Sequence, residues 1–224
     1  MFLGHFGLGF AAKKTVPAVS LGALFAAGQF ADLLWPTLVL LGVEQVRVQP
    51  GVTAVTPLDF VSYPYSHSLL MLGVWGVALG GVYMALRGAR AKAAIVLALL
   101  VVSHWVLDYV THRPDMPITP TGSARVGLGL WNSVPGTLVA EFALLGVGVA
   151  LYLRATQART RAGAIGFWSL VAFLVIVYLA STFGPPPPSA TAVAWSAQAM
   201  WLLVAWGYWV DRSRSGDGHT RSAR

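Results

Sequence analysis

The sequence predicts an all-α membrane protein, a polytopic bundle of about six transmembrane helices with a short N-terminal half-helix. Three observations predict it. Hydrophobic residues make up 56% of the 224-residue chain and charged residues only 10%, with a mean hydropathy of +0.67, a balance too apolar for a soluble domain of this size. Apolar runs of about 20 residues recur along the chain, the length that crosses a hydrocarbon core of about 30 Å. Nine Trp and seven Tyr suit helix ends at the headgroup level, where an amphipathic ring sits half wet.

The elements follow in order. Residues 2–12 are apolar but too short to span, and read as a half-helix packed against protein rather than lipid. The first span covers residues 16–42, and Pro36 late in it is expected to kink it or end its regular part. Further spans lie near 66–86, 93–111, 135–153, 164–182 and 193–210. The PPPP run at 185–188 is a stiff connector. Residues 1–210 form one transmembrane domain, and 211–224 a polar tail that reads as disordered and in which His219 carries no signal. With no removable signal-peptide pattern ahead of residue 12, Met1 reads as the start of the chain.

Charge gives orientation. Arg87, Arg90 and Lys92 lie between spans two and three, Arg154, Arg159 and Arg161 between four and five, and Arg212 and Arg214 after six. By the positive-inside rule these loops and the C-terminus are cytoplasmic, in a plasma (inner) membrane. The net charge of +7 is thus accounted for by anchors against anionic lipid, and implies no nucleic-acid partner. The chain has no Cys, which excludes disulfides, thiolate zinc sites and thiol catalysis. Nothing in it speaks to oligomeric state.

His5, Asp32, His67, His104 and Asp108 lie in or at the ends of the most apolar stretches. A charge at mid-bilayer costs on the order of 3 kcal/mol or more, so such residues face a bundle interior and serve ions, protons or substrates. By helical rise, His104 and Asp108 stand roughly 18 and 24 Å above Lys92, Asp32 roughly 27 Å above Lys14 and Glu141 roughly 20 Å above Arg154. With His67 opening span two, these residues share the outer half of the bundle. His5, roughly 12 Å above Lys13, joins them only if the half-helix tilts or the lysines snorkel.

In SHWVLDYVTH, His104, Asp108 and His112 are spaced by four and stack on one helix face. An imidazole and a carboxylate on one rigid surface supply two metal ligands at fixed geometry. The competing reading is a histidine bonded to a carboxylate for packing alone, which Asp32 and His67 at the same depth disfavour. His112 reads as a rim or loop residue, Glu141 equally as a ligand or a partner of Arg or Trp, and Asp59 and Asp115 as solvated or capping, with Asp115 at a cavity mouth. Ser66 and Ser68 flank His67 and can orient its ring or cap the helix. No GxSxG elbow is present, and GLGLWNS at 127–133 is a turn whose Trp131 and Asn132 can close a cavity.

Gly4-His5, Asp32 in FADLLWP, SHSLL at 66–70 and the SHxxxD of span three together resemble a family of bacterial membrane-bound proteins described as predicted metal-dependent hydrolases. The likeness covers roughly residues 4–135. It implies that His5, Asp32, His67, His104 and Asp108 are metal ligands. Their order is also similar to that of zinc-dependent phospholipase C and P1-type nucleases, by which Asp108 would bridge two metals, with His67, His104 and Asp32 on one and His5 on the other. Two departures stand: the family's PDIDHP is reduced to Asp32, and its HRGxTHS reads YPYSHS here. The expectation is a membrane-embedded, metal-dependent hydrolase that uses zinc, with manganese as the other suitable ion. Asp32 or Asp108 accepts a proton, and the substrate is an amphipathic, lipid-like phosphoester met in the membrane lipid at the extracytoplasmic side. A non-catalytic subunit of a larger assembly, a bis-His haem protein and a proton pathway are the rival classes.

Overall fold

The computed structural model describes residues 1–216. Helix α1 (Leu3–Thr15) carries Lys13 and Lys14 in its last turn, where the helix dipole favours cations. Its open N-terminal N–H groups are met by Glu141 of helix α7 (Val134–Ala155), which accepts from Phe2 and Gly4 at 2.8 Å each. Glu141 therefore caps α1 rather than pairing with Arg or Trp. The two helices run side by side so closely that a Cβ on Gly148 would overlap the Gly7 backbone. Small residues at such a crossing let backbones approach, the usual basis of helix association in lipid.

The first predicted span is a broken one. Helix α2 (Leu21–Gly28), capped by the Ser20 side chain, and helix α3 (Phe30–Leu40) meet at an angle of 58°. The break falls at Gln29, not at Pro36 as expected. Pro36 is held inside α3, where it removes one backbone donor, whereas Gln29 leaves helical geometry at φ −101° and ψ 12°. The Gly28 carbonyl beside that break accepts from His104 Nδ1 at 2.9 Å.

After α3 the chain forms an antiparallel ribbon of β1 (Gln45–Val48) and β2 (Leu58–Ser62), then the single turn α4 (Pro64–His67). Ser68 caps helix α5 (Leu69–Arg87), which returns along helix α6 (Ala91–Thr111) with Gly76 and Gly80 against the backbones of Ala98 and Ala94. A second small ribbon, β3 (Met116–Pro117) with β4 (Arg125–Val126), and a 3₁₀ turn at Leu130–Asn132 lead into α7. Strand β5 (Thr156–Ala158), helix α8 (Arg161–Phe183), helices α9 (Ala190–Gln198) and α10 (Met200–Arg212) and strand β6 (Arg214–Gly216) complete the fold.

The fold is all-α apart from these ribbons. Among the described residues four helices, α5 to α8, are long and apolar enough to cross a membrane, and the bent pair α2–α3 makes up to five. The expected sixth segment, 193–210, is divided at Ala199 into α9 and α10, neither long enough to cross alone. Residues 211–216, expected to begin a loose tail, instead close α10 and pair as β6 with β5. There Lys13 meets Asp211 at 2.8 Å, and the Arg214 guanidinium lies over Phe167, 4.9 Å from its ring centre. Residues 217–224, His219 among them, lie outside the described residues. Above this polar end an aromatic core of Phe6, Phe10, Phe25, Tyr152 and Phe167 separates it from the histidines.

Candidate metal centre

Helix α6 presents His104 and Asp108 one turn apart, exposed by 0% and 2%. Because His104 Nδ1 donates to the Gly28 carbonyl, a neutral His104 keeps its lone pair on Nε2. That atom lies 3.2 Å from Asp108 Oδ2 and 3.8 Å from Asp32 Oδ1, yet has no hydrogen-bond partner among the described residues. It faces two carboxylates without the alignment of a hydrogen bond.

His67 is set by a different device. Pro64 starts α4 and Ser68 caps the next helix, so the ring projects from a tight corner between two helices. Buried Glu44 holds this corner: it accepts from the Tyr65 and Ser66 amides at 2.8 and 2.9 Å and from Ser66 Oγ at 2.6 Å. The single Ser66 hydroxyl proton goes to that carboxylate, so at the 2.7 Å contact between Ser66 Oγ and His67 Nδ1 the ring is the donor. His67 Nε2 then carries the lone pair, 3.5 Å from Asp32 Oδ1 and 3.9 Å from Asp108 Oδ2.

Asp32, His67, His104 and Asp108 thus bring two Nε2 atoms and two carboxylates together, and with neutral rings both Nε2 atoms offer lone pairs to the space between them. A tetrahedral ion bound at 2.0–2.1 Å sets its ligand atoms about 3.3–3.4 Å apart. The four observed His–Asp separations, 3.2–3.9 Å, are close to that spacing. His5, from the half-helix, completes the convergence. Its Nε2 is 3.1 Å from Asp108 Oδ1, and its ring stacks on His104 at 3.7 Å. The Met1 amino group donates to the same carboxylate. Two groups of three, His5 with His104 and Asp108, and Asp32 with His67 and His104, are close enough to hold an ion.

No protein-family model, curated protein or solved structure matches this chain. Function is therefore read from the site itself.

All five residues singled out in the sequence meet in one place. His5 does so because α1 enters the bundle along α7, which no loop spacing reveals. His112, expected at the rim, is 2% exposed, with Nε2 3.8 Å from Asp108 Oδ2. Its Nδ1 lies 3.0 Å from Asp115 Oδ1, and Asp115 also accepts from Tyr63 Oη at 2.8 Å and from Arg113 Nε at 3.0 Å. Burial opposes ionisation of Asp115, but these hydrogen bonds outweigh it and hold the carboxyl below its usual range. Burial, with the Asp115 charge beside it, pushes the Tyr63 hydroxyl well above the usual phenol value. Asp59, expected to be solvated or capping, pairs with Arg113. Glu44 and Tyr63 were not singled out in the sequence; each lies in a loop, and its partner is remote along the chain.

The cluster lines one side of a cavity of about 760 Å³ whose wall includes Asp32, His67, Asp108, His112 and Trp131. Much of the rest of that wall is apolar, from α8 to α10 with Phe173, Val177, Met200, Leu203 and Trp206, from Pro185 and Pro187 of the connector, and from Phe2, Trp35 and the ribbon residues Leu58 and Phe60. Pockets of this size bury most of a ligand of a few hundred daltons.

Proposed function

We propose that this protein is a membrane-embedded, metal-dependent hydrolase of amphipathic substrates, with lipid phosphoesters the favoured class. One observation carries the reading: a single cavity joins a buried His/Asp cluster that fits a divalent ion to a long apolar wall. A polar head at the cluster and an apolar chain along α8 and α10 would each meet matching chemistry. The likeness of residues 4–135 to membrane-bound metal-dependent hydrolases points the same way.

Asp32, His67, His104 and Asp108 would hold the ion. Bound there, a divalent ion supplies Lewis acidity toward a phosphoryl oxygen and lowers the pKa of water to near 7. The chain's own groups divide the remaining work. Asp108 is engaged by His5 as well as by His104 and His112, so its part would be to hold the ion rather than to move a proton. Asp32, with 24% of its side chain exposed on the cavity wall, is the carboxylate placed to accept a proton from the attacking water. The apolar wall orients the chain of the substrate and keeps bulk water from the reacting bond. A haem reading is disfavoured by the face-to-face stack of His5 on His104, since two axial histidines bind from opposite sides of a porphyrin.

The end of the bundle that carries Lys13, Asp211 and Arg214 is the cytoplasmic one by the positive-inside rule. That puts the cluster toward the extracytoplasmic face of an inner membrane. With α9 and α10 counted as one broken crossing, the chain spans six times.

The test is release of product from a panel of phospholipids and polyprenyl phosphates in detergent, comparing wild type with His104→Ala. Wild type should hydrolyse at least one, lose activity to a chelator and regain it with zinc or manganese. A metal-loaded wild type that cleaves nothing, or equal release by both proteins, overturns the hydrolase and leaves a non-catalytic membrane subunit as the better reading.

A further inference from the structure

The geometry points to His112 as a metal ligand of this centre, held for that task by Asp115 and Tyr63. The inference rests on the cluster binding an ion, not on its being a hydrolase.

The backbone places the residue first. Helix α6 ends at Thr111, and His112 turns to extended geometry at φ −66° and ψ 149°. Its N–H donates to the Asp108 carbonyl at 2.7 Å, and its carbonyl accepts from Gly129 at 2.6 Å, so the residue is pinned from both sides. The ring is pinned too: Trp131 packs on it at 4.1 Å and Phe60 at 4.9 Å between centres.

The proton inventory then decides which nitrogen is free. Asp115 accepts from Tyr63 Oη and Arg113 Nε and, as a carboxylate, has no proton to give, so His112 is the donor at the 3.0 Å contact of its Nδ1. In the neutral ring Nε2 then keeps its lone pair, and it faces Asp108 Oδ2 at 3.8 Å on the cavity wall. A lone pair held against a carboxylate is repulsive unless a cation or a proton donor lies between them. A histidine kept for packing would turn a ring N–H to that carboxylate. Here the N–H is spent on Asp115 instead.

The same arrangement recurs at the other two α4 and α6 histidines. His67 gives its Nδ1 proton to Ser66, which is backed by Glu44, and His104 gives its own to the Gly28 carbonyl. All three rings turn Nε2 toward Asp108 Oδ2, at 3.9, 3.2 and 3.8 Å. An outward N–H on a carboxylate or carbonyl is how metal-binding imidazoles are oriented and made more basic. Three rings so oriented on one carboxylate oxygen make His112 a donor to an ion that Asp108 shares.

Purified wild type, His112→Ala, His112→Gln and Asp115→Asn, each loaded with zinc(II) or cobalt(II), provide the test. Chelator competition gives affinity, and the cobalt visible spectrum reports the ligand set without any need for turnover. Both His112 variants should bind at least about 10-fold more weakly and show an altered cobalt spectrum. Asp115→Asn should weaken binding on the order of 10–100-fold, the usual effect of losing the group behind a ligand. His112→Gln guards against a packing defect, since its amide can still donate to Asp115. If it keeps wild-type affinity and spectrum, His112 is a packing residue and the inference fails. A wild type that takes up no ion also ends it. A wild type that binds tightly and cleaves nothing removes the hydrolase but leaves His112 a ligand.

Discussion

Ser66 has one hydroxyl proton, and its donation to Glu44 determines which nitrogen of His67 faces the cluster. Ser66→Ala or Glu44→Gln should therefore loosen the ring and cost on the order of 10–100-fold in zinc affinity while leaving all the proposed ligands in place. Chelator competition measures this; unchanged affinity in both variants would make the relay a device for packing α4 alone. Asp115 makes a second prediction at this scale. Its folded-state carboxyl titrates below its ordinary value, so its contribution to stability is complete above about pH 4 and is lost as pH falls through the depressed value. Thermal unfolding of the metal-free protein between about pH 5 and 2 should show a steeper loss for wild type than for Asp115→Asn. Parallel curves would mean that the hydrogen bonds of Asp115 do not favour its charged form.

At the scale of the element, α1 is held by two features of α7: the carboxylate of Glu141 at its start and the bare backbone of Gly148 against Gly7. Gly148→Val would overpack that contact, at about 1–3 kcal/mol, and should also weaken metal binding because the displaced helix carries His5, which contacts the proposed ligand Asp108. Gly146→Val, on the same helix with nothing near its Cβ position, should do neither. Unfolding temperature and zinc affinity check both effects, and similar values for the two variants would mean that α1 does not depend on this approach. The break between α2 and α3 is as consequential. It frees the Gly28 carbonyl for His104, so a straight helix through Gln29 would remove the acceptor that orients that ring.

At the scale of the whole molecule the two ends of the bundle differ in kind. One gathers Lys13, Asp211 and Arg214, and the other the histidines and aspartates. Because the chain has no native cysteine, single cysteines report its sidedness cleanly. In intact cells Arg90→Cys and Arg159→Cys should resist an impermeant thiol reagent, whereas Thr121→Cys, in the loop after β3, should react. Labelling at Arg159→Cys from outside would invert the orientation and place the cluster toward the cytoplasm.

Composition and apolar run length by themselves determine that this chain is all-α and suited to a membrane, because backbone polar groups in lipid must be satisfied within helices. The four-residue spacing of His104, Asp108 and His112 makes one helix face legible, and the rarity of charge in apolar runs singles out Asp32 and His67. Tertiary structure alone decided the rest. Whether His5 could reach the cluster depended on how α1 enters along α7, and the role of Glu141 on where that same helix begins. The orientation of His104 depended on a carbonyl 76 residues away, freed by a break at Gln29 rather than Pro36, and that of His67 on a carboxylate 22 residues before its neighbour. Spacing along a helix is a local property readable from sequence, whereas the direction of an imidazole proton is set by whichever acceptor the folded chain brings to its other nitrogen.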